Sequence, residues 1–160
     1  MSKWSKWVDI ENAKSKKGPF NDFGVYELRA VNQSNSPIPI NRLIGTDPLG
    51  ILYIGRSGYG GKNSARTIAN RIREFVQRQH SGGITYAKAK LILNRRSPQF
   101  SGHHLQVRAV FVADDEIEAA ESKELRKYFA EYGELPPCNS ALPTESRAPR
   151  AVGDEEKGRE

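Results

Sequence analysis

ILYIGRSGYGGKNS, residues 51–64, passes from an apolar run into a glycine-rich loop ending near a lysine, and its reading decides the fold. A nucleotide-holding loop needs a glycine, four residues, then Gly-Lys-Ser/Thr, so that backbone amides wrap a phosphate and the hydroxyl reaches magnesium. Counting back from Gly61-Lys62 puts Arg56 where the first glycine should stand, and Asn63 replaces the hydroxyl. The spacing fails, so the information lies in the segment before the loop. ILYIG, 51–55, is a short β-rich run bounded by turn formers and is predicted to be a strand.

Working outward, GVYELRAV, 24–31, alternates, with Tyr26, Leu28 and Ala30 on one side and Val25, Glu27 and Arg29 on the other. It predicts a strand that pairs antiparallel with 51–55. The segment between, 32–50, holds three prolines and many turn formers and is expected to be a loop. Downstream, Ile68, Ile72, Phe75 and Val76 recur at helical spacing over about 63–80, and Gly82 and Gly83 are expected to stop that helix. A shorter helix is expected over 84–93 and a third strand over 104–113, followed by a long helix from Asp114-Asp115 to about Tyr132 with acidic residues in its first turn. Trp4 and Trp7, three apart as on one helical face, mark an N-terminal arm over 1–20 that docks loosely. The domain proper is placed at 21–140, and 141–160, rich in Pro, charge and small residues, is expected to be a disordered tail.

A chain of 160 residues suits one domain with a real core. No run approaches the ~20 apolar residues of a membrane span and the start lacks a signal-peptide core, so the expectation is a soluble, cytoplasmic protein with no membrane partner. The lone Cys138 excludes an internal disulfide and a cysteine-built zinc site, and reads as an ordinary buried small residue. The net charge of +6 is uneven, because residues 1–80 hold 13 of the 25 Lys/Arg but 6 of the 19 Asp/Glu. Within that half Arg56, Lys62, Arg66, Arg71, Arg73 and Arg78 face only Glu74 as a nearby opposing charge. Such a surface suits a polyanion, and a solvated helix face explains the charge equally well.

At about 100° per residue, Ile117, Glu121, Leu125, Tyr128 and Tyr132 share one stripe of the last helix, which puts a carboxylate on the face that should be buried. It needs a partner, and three readings stay open: a salt bridge to arginine, a polar rim at solvent, or a metal ligand facing a cleft. Glu116, Glu118 and Glu124 lie at the stripe's edge or beyond and read as a solvated face. Arg71 and Arg73 flank the apolar stripe of the earlier helix with equal right to a cleft. Tyr26 and Tyr53, one in each adjacent strand, read by themselves as half-buried strand aromatics.

Gly24-Val25-Tyr26 together with Tyr53-Ile54-Gly55 resembles the two-part signature of the GIY-YIG nuclease superfamily. NRIREFV, 70–76, is similar to the family's helix after the second motif and places Arg71 on its arginine. ESKELRKYFAEYGELPPCN, 121–139, is similar to its late helix, with Glu121 on the metal-binding glutamate, Leu125 and Tyr128 on packing positions, and Asn139 on the asparagine. The resemblance covers about residues 22–140. It departs in a longer loop between Gly55 and Arg71, which leaves Arg66 and Arg73 as rivals for Arg71's place. It departs again in Phe75, where many members have a histidine; His80 is the available substitute, though it also reads as a surface histidine near a helix end.

The resemblance implies an α/β (α+β) domain with a small three-stranded antiparallel sheet flanked by helices, hydrolysing DNA phosphodiester bonds with Mg²⁺, Mn²⁺ being a substitute. It implies Glu121 as the metal ligand, Arg71 on the scissile phosphate, Tyr26 and Tyr53 flanking the attacking water with one as general base, and Asn139 orienting the site. Arg56, Lys62, Arg66, Arg73 and Arg78 would grip the flanking backbone without reading sequence. A restriction-type nuclease would carry its specificity in insertions such as 32–50 and 81–104, a repair or structure-specific one would read shape, a partner would supply recognition for a homing enzyme, and a homodimer is expected if both strands of a duplex are cut. The alternative is a non-catalytic nucleic-acid-binding module on the same fold.

Overall fold

All eight residues of Gly24–Val31 are buried, because the strand they form has a neighbour along each edge and a packed layer on each face. In the computed structural model, which describes residues 3–58 and 66–142, the order is β1 (Val8–Asp9), α1 (Ile10–Ala13), β2 (Gly24–Val31), β3 (Ile40–Asn41), β4 (Thr46–Asp47), β5 (Ile51–Arg56), α2 (Ile68–Val76), α3 (Ser81–Arg96), β6 (His104–Phe111) and α4 (Ile117–Tyr132). The expected tail and Lys62 lie outside the described residues, apart from Ala141 and Leu142. The chain is a mixed α+β domain whose main sheet is antiparallel, in the order β1-β6-β2-β5. Among the described residues no helix is long and apolar enough to cross a membrane.

Three strands were expected and the sheet has four. The extra strand, β1, pairs Val8 with Val107 and Asp9 with Gln106, and a two-residue strand is too short to leave an alternation in the sequence. Residues 3–7 are not helical either. Trp4 and Trp7 lie over arginines of the sheet: the Arg29 guanidinium is 4.0 Å from the Trp7 ring centre, and that of Arg108 is 4.7 Å from both rings. The same face carries the Glu27–Arg108 ion pair, at 2.7 Å. This is how β2 buries Glu27 and Arg29, which periodicity alone would leave half exposed.

The sheet separates two apolar clusters. Tyr26, Leu28, Ala30, Val107 and Ala109 pack with Ile10 and Ala13 of α1 and with Ile68, Ala69, Ile72 and Phe75 of α2. Val25, Ile51, Ile54 and Val110 pack on the other face with Leu125 and Tyr128 of α4. β2 and β5 pair antiparallel as expected, Tyr26 facing Gly55 and Leu28 facing Tyr53. A register skip between Leu28 and Arg29 leaves Leu52 without an opposite residue, and Leu52 turns into the α2-side core. The expected loop at 32–50 contains the small β3–β4 hairpin.

Gly82 and Gly83 do not stop α2; they begin α3. α2 ends at Val76, and Arg78 takes a left-handed backbone, φ +61°, at the turn. Both glycines are buried in the first turn of α3, where a Cβ on Gly83 would lie 2.2 Å from the Phe75 carbonyl oxygen and one on Gly82 2.7 Å from the Tyr53 ring. Glycine here permits close approach of helix ends rather than chain termination, so α3 is longer than the 84–93 expected.

Candidate active site

Tyr26 and Tyr53 meet across the β2–β5 pair with ring centres 6.0 Å apart. Gly55, opposite Tyr26, makes room for both: an added Cβ would stand 2.5 Å from the Tyr53 ring and 2.7 Å from the Tyr26 hydroxyl oxygen. Tyr26 is wholly buried and its hydroxyl has no hydrogen-bond partner among the described residues. An orphaned buried hydroxyl of this kind costs roughly 1–3 kcal/mol, so its retention calls for an explanation. Burial, then the neighbouring Tyr53, holds the Tyr26 phenol well above its ordinary pKa, with Arg71 opposing and Glu121 and Glu74 adding to the rise. Tyr53 is half-buried and stacks on His80, ring centres 5.5 Å apart.

α2 presents Arg71 to this pair. Thr67 caps the helix by accepting a hydrogen bond from the Asn70 amide at 3.2 Å, and Ile68, Ile72 and Phe75 fix its rotation against the sheet. Arg71 pairs with Glu74 one turn on, and Arg66, more than half exposed, lies 3.5 Å from the same carboxylate. Arg73 turns the other way, donating to the Lys14 carbonyl and to Asn70. Arg78 is exposed on a separate cavity lined by Phe75, Tyr86 and His103.

His80 is at a helix end, as expected, yet it is not a surface residue. It caps α3, its Nδ1 accepting from the Gly83 amide at 3.4 Å, and its ring lies 5.4 Å from that of Phe75. That capping bond leaves the ring proton of a neutral imidazole on Nε2, which is buried without a partner among the described residues. Burial first, then Arg71, lowers the His80 pKa, against an upward pull from Glu74.

On the opposite face, α4 brings Glu121 to the free edge of β5. Its side chain is 18 % exposed and lies 3.7 Å from Nε of Arg56, while Nη1 of Arg56 lies 3.6 Å from the exposed Glu118. Of the three readings of Glu121, the salt bridge to arginine is present, and the carboxylate also faces a pocket. Burial raises the Glu121 pKa, and Arg56 and Arg71 pull it back down. Tyr53, Arg56, Glu118, Glu121 and Asn139 line one pocket of about 310 Å³. Asn139 closes the β5 edge as a neighbouring strand would, accepting from the Ile54 amide at 2.9 Å and donating to the Ile54 carbonyl at 2.8 Å, beside a Cys138 amide bond to the Leu52 carbonyl at 2.8 Å. Cys138 is buried as expected, its thiol pushed up to about 11 by burial.

Thus Tyr53, Glu121 and Asn139 line one pocket at the edge of β5 together with Arg56, and Tyr26 and Arg71 lie on the α2 side of the sheet, within electrostatic reach of Glu121, whereas Arg73 and Arg78 point elsewhere. Sequence reasoning did not assign a role to Glu74, although its position three residues after Arg71 was a visible signal. Among the described residues no group of three or more His, Cys, Asp or Glu could hold an ion. The carboxylates at this edge are the exposed Glu118 and the half-buried Glu121, on an open, solvent-reaching pocket. That set fits a hard cation that keeps water and phosphate in most of its shell, and it does not fit a closed protein cage. No family model, curated protein or solved structure matches the chain.

Proposed function

We propose that this chain is a GIY-YIG endonuclease, hydrolysing DNA phosphodiester bonds with a divalent cation. The observation that carries the reading is that two strand tyrosines, a helix arginine and a half-buried glutamate from four separate elements come within electrostatic reach of one another beside a buried tyrosine hydroxyl that has no partner among the described residues. Packing alone favours neither an orphan hydroxyl nor a carboxylate at the edge of a core.

In this reading Glu121 would hold Mg²⁺ or Mn²⁺ through its carboxylate. The bound ion supplies charge neutralisation at the scissile phosphate and lowers the pKa of water. Arg71 binds that phosphate, its planar fork matching two oxygens, and Glu74 holds it in place beforehand. Tyr53, half-buried on the pocket wall, is the phenol that water can reach. Tyr26, closed off and with its pKa raised, is a better hydrogen-bond donor than base. His80 packs on Tyr53 from behind, where the family's histidine is replaced by Phe75. Asn139 is a positioning residue that holds β5 straight through Ile54.

A non-catalytic nucleic-acid-binding module is favoured by one observation, the Arg56 contact that already occupies Glu121. Cleavage of labelled duplex, single-stranded and branched DNA in Mg²⁺, Mn²⁺ and EDTA separates the two. The nuclease cuts at least one form only with metal, and the module binds equally well in chelator and cuts none.

A further inference from the structure

Resting on that reading of Glu121, we propose that Arg56 couples cation uptake to the arrival of a nucleic-acid backbone. Glu118 and Glu121 are three apart on α4, so both carboxylates face the same side, and the guanidinium of Arg56 at the end of β5 sits between them. The contacts, 3.6 and 3.7 Å, are longer than a normal N–H···O hydrogen bond and are not a two-bonded fork. They are charge contacts that a better acceptor can displace. A backbone phosphate is such an acceptor, since it takes both prongs of a guanidinium.

The guanidinium and a divalent cation compete for Glu121. A magnesium–oxygen bond is about 2.0–2.1 Å long, and a second positive charge within 4 Å of the same oxygens opposes it. Without nucleic acid, Arg56 therefore keeps Glu121 weak as a metal ligand. When a phosphate draws Arg56 away, Glu121 opens and the cation enters beside the substrate. Arg71 does not compete in the same way, because Glu74 holds its guanidinium on the α2 side. By reciprocity, a bound cation tightens nucleic-acid binding by the factor by which nucleic acid tightens cation binding.

The test is Mn²⁺ binding, followed by paramagnetic resonance, to the full chain without DNA, in wild type, Arg56→Gln, Arg56→Lys and Glu121→Gln, with thermal melting as a check of folding. Arg56→Gln is expected to bind Mn²⁺ roughly tenfold more tightly than wild type, having lost one partly buried ion pair and one like charge beside the cation. Arg56→Lys, which keeps the charge, should fall between them and serves if Arg56→Gln does not fold. In EDTA, Arg56→Gln should bind a short duplex DNA of random sequence several-fold more weakly. Mn²⁺ affinity in Arg56→Gln equal to or below that of wild type, with binding abolished by Glu121→Gln, overturns the coupling and leaves the metal site standing. Mn²⁺ binding unchanged by Glu121→Gln, or no binding by any variant, overturns both.

Discussion

Replacing Gly55 by alanine tests whether the two tyrosines share one tightly shaped space. The new Cβ would lie 2.5 Å from Cε1 of Tyr53, 2.6 Å from Cζ of Tyr26 and 2.7 Å from its hydroxyl oxygen, where ordinary contact begins at 3.4 Å. Relief requires the Tyr53 ring to retreat by about 0.9 Å and the Tyr26 ring by about 0.8 Å, the differences between those distances. Tyr26 has no room to do so, being fully buried between β2 and α2, so β5 must shift and carry Tyr53 with it. Overpacking of this kind costs about 1–3 kcal/mol, partly offset by the roughly 0.4–1 kcal/mol that Gly→Ala takes from the freedom of the unfolded chain. The expected fall in Tm is a few degrees, roughly 2–4 °C for each net kcal/mol lost. The expected loss of cleavage is larger, on the order of 100-fold, because a group displaced by about 1 Å loses its productive geometry. The assay is thermal unfolding beside initial cleavage rates at saturating DNA, well below the lowered Tm. An unchanged Tm would refute the packing of both rings over Gly55, and a lowered Tm with an unchanged rate would remove the tyrosines from the chemistry.

Tyr26→Phe deletes a hydroxyl that is buried without a partner among the described residues, so stability should hold or rise by up to about 1 kcal/mol while cleavage falls; a clear drop in Tm would show that the hydroxyl has a structural partner. Burial lowers the pKa of His80 and His103, so below the unfolded value of about 6.5 the unfolded chain binds more protons than the native state and stability rises with pH there. Glu27 and Glu121, raised by burial, act with the opposite sign as pH climbs through their folded values, so the histidine effect is read as a difference between variants. His80→Asn keeps a capping acceptor for Gly83 and should lose less Tm than wild type between about pH 7.5 and pH 5.5. Parallel curves for the two proteins would mean that His80 does not titrate differently on folding.

The paired strands and the amphipathic helices were legible because each rests on local periodicity with buried residues at its correct phase, whereas the tyrosine pair was legible only through the resemblance, since by themselves both read as half-buried strand aromatics. The fourth strand was not, since Val8–Asp9 is recruited by β6 and by two tryptophans resting on Arg29 and Arg108, a tertiary effect with no local signal. Gly82 and Gly83 misled for a related reason: the sequence marks them as chain breakers, while their use is to let α3 approach Phe75 and Tyr53. Glu121 was singled out correctly as a carboxylate on an apolar stripe. That its nearest cation is Arg56 depends on how α4 crosses β5. Arg71 and Arg73 were equivalent by periodicity, and only the packing of α2 separated them, one facing the tyrosines and Glu74, the other bound to the Lys14 carbonyl.

The central claim is best tested by cleavage and binding measured side by side on wild type and Glu121→Gln, an exchange that keeps the side chain's shape and removes its charge. The nuclease reading predicts that wild type cuts DNA in Mg²⁺ or Mn²⁺ and not in EDTA. It predicts that Glu121→Gln cuts at least on the order of 100-fold more slowly, since it removes the carboxylate that would hold the metal, while still binding DNA in chelator. Cutting that persists in EDTA or in Glu121→Gln would contradict it, as would a wild-type protein that binds DNA tightly and cuts no form of it.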